Sequence, residues 1–355
     1  MQIAFHAPLK PPDHPVPSGD RAMARLLIAA LEKAGHAVDL PSRLRTHARD
    51  PSPPPDARDK IARIAAQWRK TGNPDLWFCY HPYYKAPDVL GPALTRQFAL
   101  PYVTIEASYA AKRDAGPWKE RQALLIDAVR HARLNICFTG RDREGLLKIA
   151  APERCVLLPP FIDTSEIEPR SETAGPARLI AVAMMRAGDK FASYAFLAKA
   201  LGLIRDVPWH LSIVGDGERR SAVHALFADF RPGRVDFLGE KLPEEVPRLL
   251  ASHDIYVWPG CGEAFGLAYL EAQAAGLPAV AQETAGVPAV VRHDETGLLT
   301  PQGDVNAYAE AIRTLIIDRD RRHRLSADAT QIVREHHSLD AASARLSALL
   351  EQAAR

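Results

Sequence analysis

Short apolar runs rich in β-branched and aromatic residues recur along the chain, separated by segments with helical spacing of apolar positions. This alternation predicts an α/β protein built on parallel sheets. In the first half the runs are QIAF, HAVDL, LWFCY, YVTIEA, LNICF and CVLLP; in the second they are LIAVAM, WHLSIVG, VDFLG, IYVWP, PAVAQ and GLL. Two sets of six fit two Rossmann-like, doubly wound sheets. Between the first two runs, Met23, Leu26, Leu27, Ala30 and Leu31 form one helical stripe, with Ser18 as its cap and Gly35 as its stop.

A length of 355 residues supports two domains, each able to bury its own core. The polar, Pro- and Gly-containing stretch 164–178 reads as the linker. The expected domains are therefore residues 1–165 and 176–335, with a C-terminal helix, 338–355, packing back on the first. No repeat of solenoid or propeller length is present. Lys and Arg number 45 against 43 Asp and Glu, a balance that argues against a nucleic-acid partner. Cys79, Cys137, Cys155 and Cys261 make no metal or redox spacing and read as reduced, buried small hydrophobes. The N-terminus lacks the pattern of a signal peptide and no run is long enough to span a membrane, so a cytoplasmic protein is expected.

Ligands of open α/β sheets bind outside the carboxyl ends of the strands, which directs attention to the loops after each run. The most informative stretch is EAFGLAYLE, where Glu263 and Glu271 stand eight positions apart. Phe265 to Ala275 reads as a buried helix stopped by Gly276 and Pro278. Eight helical residues rise about 12 Å, a span over which one carboxylate could hold each end of a nucleotide sugar. Taken singly, an acid at a helix start or in mid-helix is commonly only a dipole partner or a solvated group.

Four further loops carry candidate chemistry. After LIAVAMM, Arg186 and Lys190 open a helix and would suit a diphosphate, Arg as a fork and Lys as a point charge. Ser18 and Gly19 end the long loop after QIAF and expose backbone N–H groups, unless they serve only as a helix cap. His81 directly follows LWFCY and is placed to hydrogen-bond a hydroxyl or steer a proton across from Glu263, although a lone His is often structural. Gly215, with Gly217, reads as a tight turn that can also touch a ligand; a third glycine, needed for a dinucleotide fingerprint, is missing. Serine-hydrolase elbow, P-loop, H-E-x-x-H and metal-cluster patterns are absent from the sequence.

Glu263 to Glu271, the preceding DIYVWP and the following AGLPAV, AGVPAVV and TGLLTPQGD together resemble the retaining family 4 glycosyltransferases. The resemblance is specific over 179–304 and looser in the first half. It implies the GT-B architecture of two Rossmann-like domains facing across a cleft, with Glu263, Glu271, Arg186 and Lys190 lining a shared crevice. On this likeness Glu271 holds the ribose, while Glu263 contacts the transferred sugar with the backbone of Ala264, Phe265 and Gly266. Arg186 and Lys190 neutralise the diphosphate, Gly19 lies near donor and acceptor, and His81 falls near a cleft histidine. Departures are Phe191 in place of a glycine, Pro259-Gly260 in place of Pro-Ser, and Gly19-Asp20 in place of twin glycines.

The implied activity is metal-independent transfer, with retention, of a hexose-type sugar from a UDP- or GDP-sugar to a hydroxyl of a glycan or lipid-linked acceptor. No cofactor is expected. Surface polysaccharide or lipopolysaccharide biosynthesis is the implied setting, with peripheral contact at the inner membrane face an option raised by the basic 41–70 region. A sugar-nucleotide 2-epimerase of the same fold and a non-catalytic nucleotide-sugar binding module stay open as alternatives.

Overall fold

The computed structural model describes residues 1–16, 18–170 and 175–354. Contacts divide the chain into two units, Met1–Pro159 with Leu339–Arg355, and Pro160–Ser338. The stretch read as a linker, 164–178, lies at the start of the second unit, and its residues 171–174 are outside the described residues.

Unit 1 holds six strands: β1 (Gln2–His6), β2 (Ala37–Asp39), β3 (Leu76–Tyr80), β4 (Tyr102–Ile105), β5 (Leu134–Cys137) and β6 (Cys155–Leu157). They lie in the order β2-β1-β3-β4-β5-β6, every neighbouring pair parallel. Parallel strands are covered on both faces by their connecting helices, so they read as unbroken apolar runs; all five residues of β3 are buried. The main helices are α1 (Gly19–Lys33), α2 (Arg58–Thr71), α3 (Gly91–Phe98), α4 (Lys119–His131) and α5 (Gly140–Leu146). In α1 the buried residues are Met23, Ala24, Leu27, Ala30 and Leu31, and Ser18 caps the helix by accepting the Arg21 N–H.

Unit 2 repeats the plan with β7 (Ala177–Val182), β8 (Trp209–Val214), β9 (Val235–Gly239), β10 (Ile255–Val257), β11 (Ala279–Gln282) and β12 (Gly297–Thr300). Their order is β12-β11-β10-β7-β8-β9, again all parallel. Helices α6 (Asp189–Gly202), α7 (Arg220–Leu226), α8 (Val246–Ala251), α9 (Leu267–Ala274), α10 (Val305–Ile317) and α11 (Arg319–His336) connect or follow these strands. The last helix, α12 (Leu339–Ala354), belongs to unit 1 and packs on α1. There the Ser343 hydroxyl donates to the Ala30 carbonyl at 2.9 Å, and Lys33 pairs with Asp340 at 2.5 Å.

Both strand orders contain a reversal. In unit 1, β1 lies between β2 and β3; in unit 2, β7 lies between β8 and β10. The loops leaving the two strands at such a point turn to opposite sides and leave a crevice at the carboxyl ends. Ser18, Gly19 and His81 follow β1 and β3; Arg186, Lys190 and Glu263 follow β7 and β10. Topology alone therefore gathers the candidate residues of each unit at its own reversal.

One buried cation organises the loops of unit 1. Arg121 on α4 is 1% exposed, and its guanidinium donates to the carbonyls of Tyr84 (3.2 Å), Ser52 (3.0 Å), Lys85 (2.8 Å) and Thr46. The fixed fork of five donors suits this task, whereas an ammonium cannot reach all four acceptors. Arg121→Met leaves these carbonyls without their donor, each such loss costing about 1–3 kcal/mol. The Lys85 carbonyl keeps the Ala48 N–H, so three are stranded, and the expected result is a fall in melting temperature of about 6 °C or more, not rescued by Arg121→Lys. A variant that melts within a degree of the parent contradicts the role of this clamp.

Candidate active site

The loop after β10 runs from Trp258 to Gly266 and leads into α9. Gly266 has φ +81° and ψ 94°, outside the helical region, and a Cβ on it would press against the Tyr269 ring. The helix expected from Phe265 therefore begins at Leu267, and the helical rise between Glu263 and Glu271 applies only from Leu267 onward. Phe265 is buried just ahead of the helix and Ala264 is exposed. Among the described residues, the N–H groups of Ala264, Gly266 and Leu267 donate to nothing, as expected where a helix begins.

Glu263 meets Lys190 directly. The Lys190 Nζ donates to Glu263 Oε2 at 2.5 Å, with Trp258 Nε1 3.4 Å from the same oxygen. The ammonium also sits 5.4 Å from the centre of the Trp258 ring, a cation–π arrangement. One turn further along α6, the Ser193 hydroxyl accepts the Cys261 N–H at 2.9 Å. Residues three apart share a helix face, so Lys190 and Ser193 together tie the loop after β10 to α6. The sequence expectation had Lys190 facing a diphosphate; without ligand it faces Glu263.

Arg186 stands in the exposed loop between β7 and α6, and no described residue engages its guanidinium. The loop backbone is nevertheless fixed: Ala183 N–H donates to the Val214 carbonyl at 3.0 Å, and Met185 N–H to the Asp216 carbonyl at 2.8 Å. Gly215 makes this seam possible. At φ +143° it lies so close to the Ala183 carbonyl that a Cβ would overlap it, which is a packing reason for glycine whatever else Gly215 touches.

Glu271 differs from Glu263. It is half-buried within α9, and no described residue donates a hydrogen bond to its carboxylate. Burial pushes its pKa above the usual carboxylate range. An acceptor held in this way is suited to hydroxyl donors arriving with a ligand. The groove lined by Arg170, Gly276, Ser326 and Thr330 is a separate feature at the opposite end of α9 and contains none of the expected site residues.

In unit 1, Ser18 Oγ accepts from the Arg21 N–H and from Lys10 Nζ, the latter at 2.9 Å. Gly19 has no atom within 4 Å of where a Cβ would stand, so the fold itself does not require glycine there. His81 extends the β3 ladder through its N–H, which donates to the Ile105 carbonyl at 2.8 Å. Its Nδ1 lies 3.2 Å from Asp20 Oδ1 and 4.0 Å from Glu106 Oε2. Burial alone would lower the His81 pKa, but the Glu106 and Asp20 carboxylates outweigh it and raise the value to about 9. Glu106 is buried and pushed up to about 7, with His81 opposing the rise. Sequence reasoning passed over both Asp20 and Glu106. The rule that points to loops after strands reaches them, since Glu106 follows β4 and Asp20 lies in the first turn of α1.

Among the described residues, no group of three or more His, Cys, Asp or Glu side chains is arranged to hold a metal ion. No described helix is long and apolar enough to cross a membrane.

The model of the family described as "Glycosyl transferases group 1" matches residues 176–318, the strands and loops that carry Arg186, Lys190, Glu263 and Glu271. Over those residues the second unit is similar to this family. The D-inositol 3-phosphate glycosyltransferase of Corynebacterium glutamicum is 38% identical over 120 residues, covering 34% of this chain and 28% of that protein. The lipopolysaccharide core biosynthesis glycosyltransferase LpsE of Rhizobium meliloti is 34% identical over 118 residues, 33% of this chain and 34% of that protein. The chain thus spans about a third of these relatives or less. The crystal structure of HepE from Anabaena in complex with UDP-glucose is similar across the whole length. It covers 99% of this chain and 100% of its own, at TM-score 0.73 and 17% identity. The fold is accordingly GT-B, a pair of Rossmann-like domains.

The burial of Glu271 sets a stability test within this fold. A carboxyl whose pKa is raised on folding favours the native state while protonated and loses that contribution as pH rises through its folded pKa. At neutral pH the ionised group is therefore a burden on the ligand-free protein. Glu271→Gln is expected to melt higher than the parent at pH 7.5, with the gain shrinking toward pH 5 in calorimetry. An equal effect at both pH values contradicts the burial argument.

Proposed function

We propose that the chain transfers a hexose-type sugar, with retention, from a UDP- or GDP-sugar to a hydroxyl of a glycan or lipid-linked acceptor. The observation that carries this reading is Glu271, a half-buried carboxylate lacking any described donor, on the helix entered from the loop that holds the Lys190–Glu263 pair. Vicinal ribose hydroxyls would satisfy Glu271, and the diphosphate would draw Lys190 and the unengaged Arg186. Glu263, released from Lys190, then accepts from the sugar, while the N–H groups of Ala264 and Gly266 face it beside Phe265. Gly215 borders the nucleotide, Ser18 and Gly19 serve the acceptor, and His81 donates to a hydroxyl.

As the anomeric carbon takes on oxocarbenium character, negative charge grows on the departing diphosphate. Preorganised cations act most strongly on charge that develops in the transition state. Arg186 and Lys190 supply two, so the reading requires neither metal nor cofactor. The acceptor hydroxyl attacks from the face that the diphosphate leaves, which preserves anomeric configuration.

Two likenesses support the setting: LpsE is a lipopolysaccharide core biosynthesis glycosyltransferase, and HepE was solved with UDP-glucose. The proposal places the protein in surface polysaccharide or lipopolysaccharide assembly, in the cytoplasm with peripheral membrane contact. For that contact the supporting feature is the group of cations around His47 that reach the surface, namely Arg45, Lys85 and Arg49; burial and then these cations lower the His47 pKa. Such a cluster favours anionic headgroups.

The test is turnover of UDP-glucose, UDP-galactose and GDP-mannose over a panel of glycan and lipid-linked acceptors, with and without EDTA. The expected outcome is acceptor-dependent release of free nucleotide, unaffected by EDTA. Lys190→Ala and Arg186→Ala should each lower kcat by about 10²- to 10³-fold. Epimerised donor formed without acceptor would instead identify a 2-epimerase, and binding without turnover a recognition module.

A further inference from the structure

Two adjacent strands of unit 1 end in the same unusual way. His81 after β3 has φ 55° and Glu106 after β4 has φ 58°, left-handed conformations that side-chain-bearing residues adopt at an energetic penalty. Both residues still donate their N–H groups to the neighbouring strand, His81 to Ile105 at 2.8 Å and Glu106 to Ile136 at 2.9 Å. The sheet therefore holds their backbones while the reversed dihedral redirects their side chains. Asp20, 61 residues before His81, reaches the same point from the first turn of α1.

The three groups converge on one ring nitrogen. Asp20 and Glu106 both face Nδ1 of His81, at 3.2 and 4.0 Å. Nε2 makes no hydrogen bond to a described residue, and the ring packs 5.3 Å from that of Tyr83 and 5.7 Å from that of Tyr80. Glu106 Oε2 is buried without a hydrogen-bond partner, an arrangement that carries a penalty unless another role offsets it. Asp142 on α5 adds a third, more distant acid, and Lys10 acts on Asp20 from the loop after β1. Carboxylates outnumber the imidazole here, so the cluster does not attract a diphosphate and suits a neutral hydroxyl.

We propose that Asp20 and Glu106 are positioning residues that fix the proton on Nδ1 of His81, keep its ring cationic and leave Nε2–H to donate to a sugar hydroxyl. The sugar itself rests on the transferase reading above; the clamp on His81 does not. The logic is that of a carboxylate orienting an imidazole, here with two acids on one nitrogen. The buried Tyr80 hydroxyl also acts on the Glu106 carboxylate, and an ion pair that only stabilises the fold would not need Nε2 left without a hydrogen bond.

The experiment is a ¹⁵N-histidine NMR titration of the whole protein, its Asp20→Asn and Glu106→Gln variants, and the pH profile of transfer from UDP-glucose. In the parent, His81 should keep both ring protons beyond pH 8 and titrate near 9; each variant should lower that midpoint by a unit or more. The alkaline limb of kcat should move with the midpoint, a shift that a purely structural role would not produce. A parent His81 that titrates near 6.5 overturns the proposal even if the variants do not fold. A limb that stays in place while the midpoint moves overturns the role in catalysis. If no transfer occurs with UDP-glucose or any other donor, the transferase reading fails, and the midpoints alone decide whether the two acids clamp the ring.

Discussion

A parallel sheet in which one strand has neighbours reached by connections to opposite sides cannot close over the ends of those strands. The loops there diverge, and the space they leave is lined by whatever residues come next in sequence. Each unit of this protein has one such place, beyond β1 and β3 in the first and beyond β7 and β10 in the second. Ser18, Gly19 and His81 in the first unit and Arg186, Lys190 and Glu263 in the second are anchored to these two reversals. Sheet hydrogen bonds, the cap of α1, the Gly215 seam and the Ser193–Cys261 contact hold the loops in place before any ligand arrives.

Within the second unit the four charged groups are held in three different states of readiness. Lys190 and Glu263 are engaged with each other, Arg186 is free of described partners, and Glu271 is half-buried without a donor. Mutual pairing lowers the penalty of having a carboxylate and an ammonium together in a partly buried place. It also means that a diphosphate and a sugar must exchange for the contact that already exists, so recognition includes breaking one ion pair and forming two sets of new contacts. Glu271 represents the other strategy, a group kept short of partners so that its burial is compensated only by a ligand.

Much of the fold was legible because its strands are covered on both faces. All twelve apolar runs found in the sequence are strands, and the doubly wound order follows in both halves. What escaped was set by single dihedrals or by distant partners. The start of α9 was misplaced by two residues because Gly266 carries a backbone outside the helical region, which an apolar pattern does not register. Glu106 lies within the run YVTIEA and carried no signal of its own; its left-handed φ and its approach to His81 are visible only in the fold. Asp20 was invisible for a related reason, since it meets His81 across 61 residues of chain. Likewise, Lys190 and Glu263 were each singled out from their own loops, yet nothing local announced that they touch.

The central claim is that the loops leaving β7, β8 and β10 receive a nucleotide sugar. Hydrogen–deuterium exchange, with and without a saturating UDP- or GDP-sugar, reads this directly. The account predicts protection concentrated in residues 183–190, 215–219 and 258–271 of the second unit. Protection confined to the groove around Arg170, Ser326 and Thr330, or absent from all three loops with every donor tried, would contradict it.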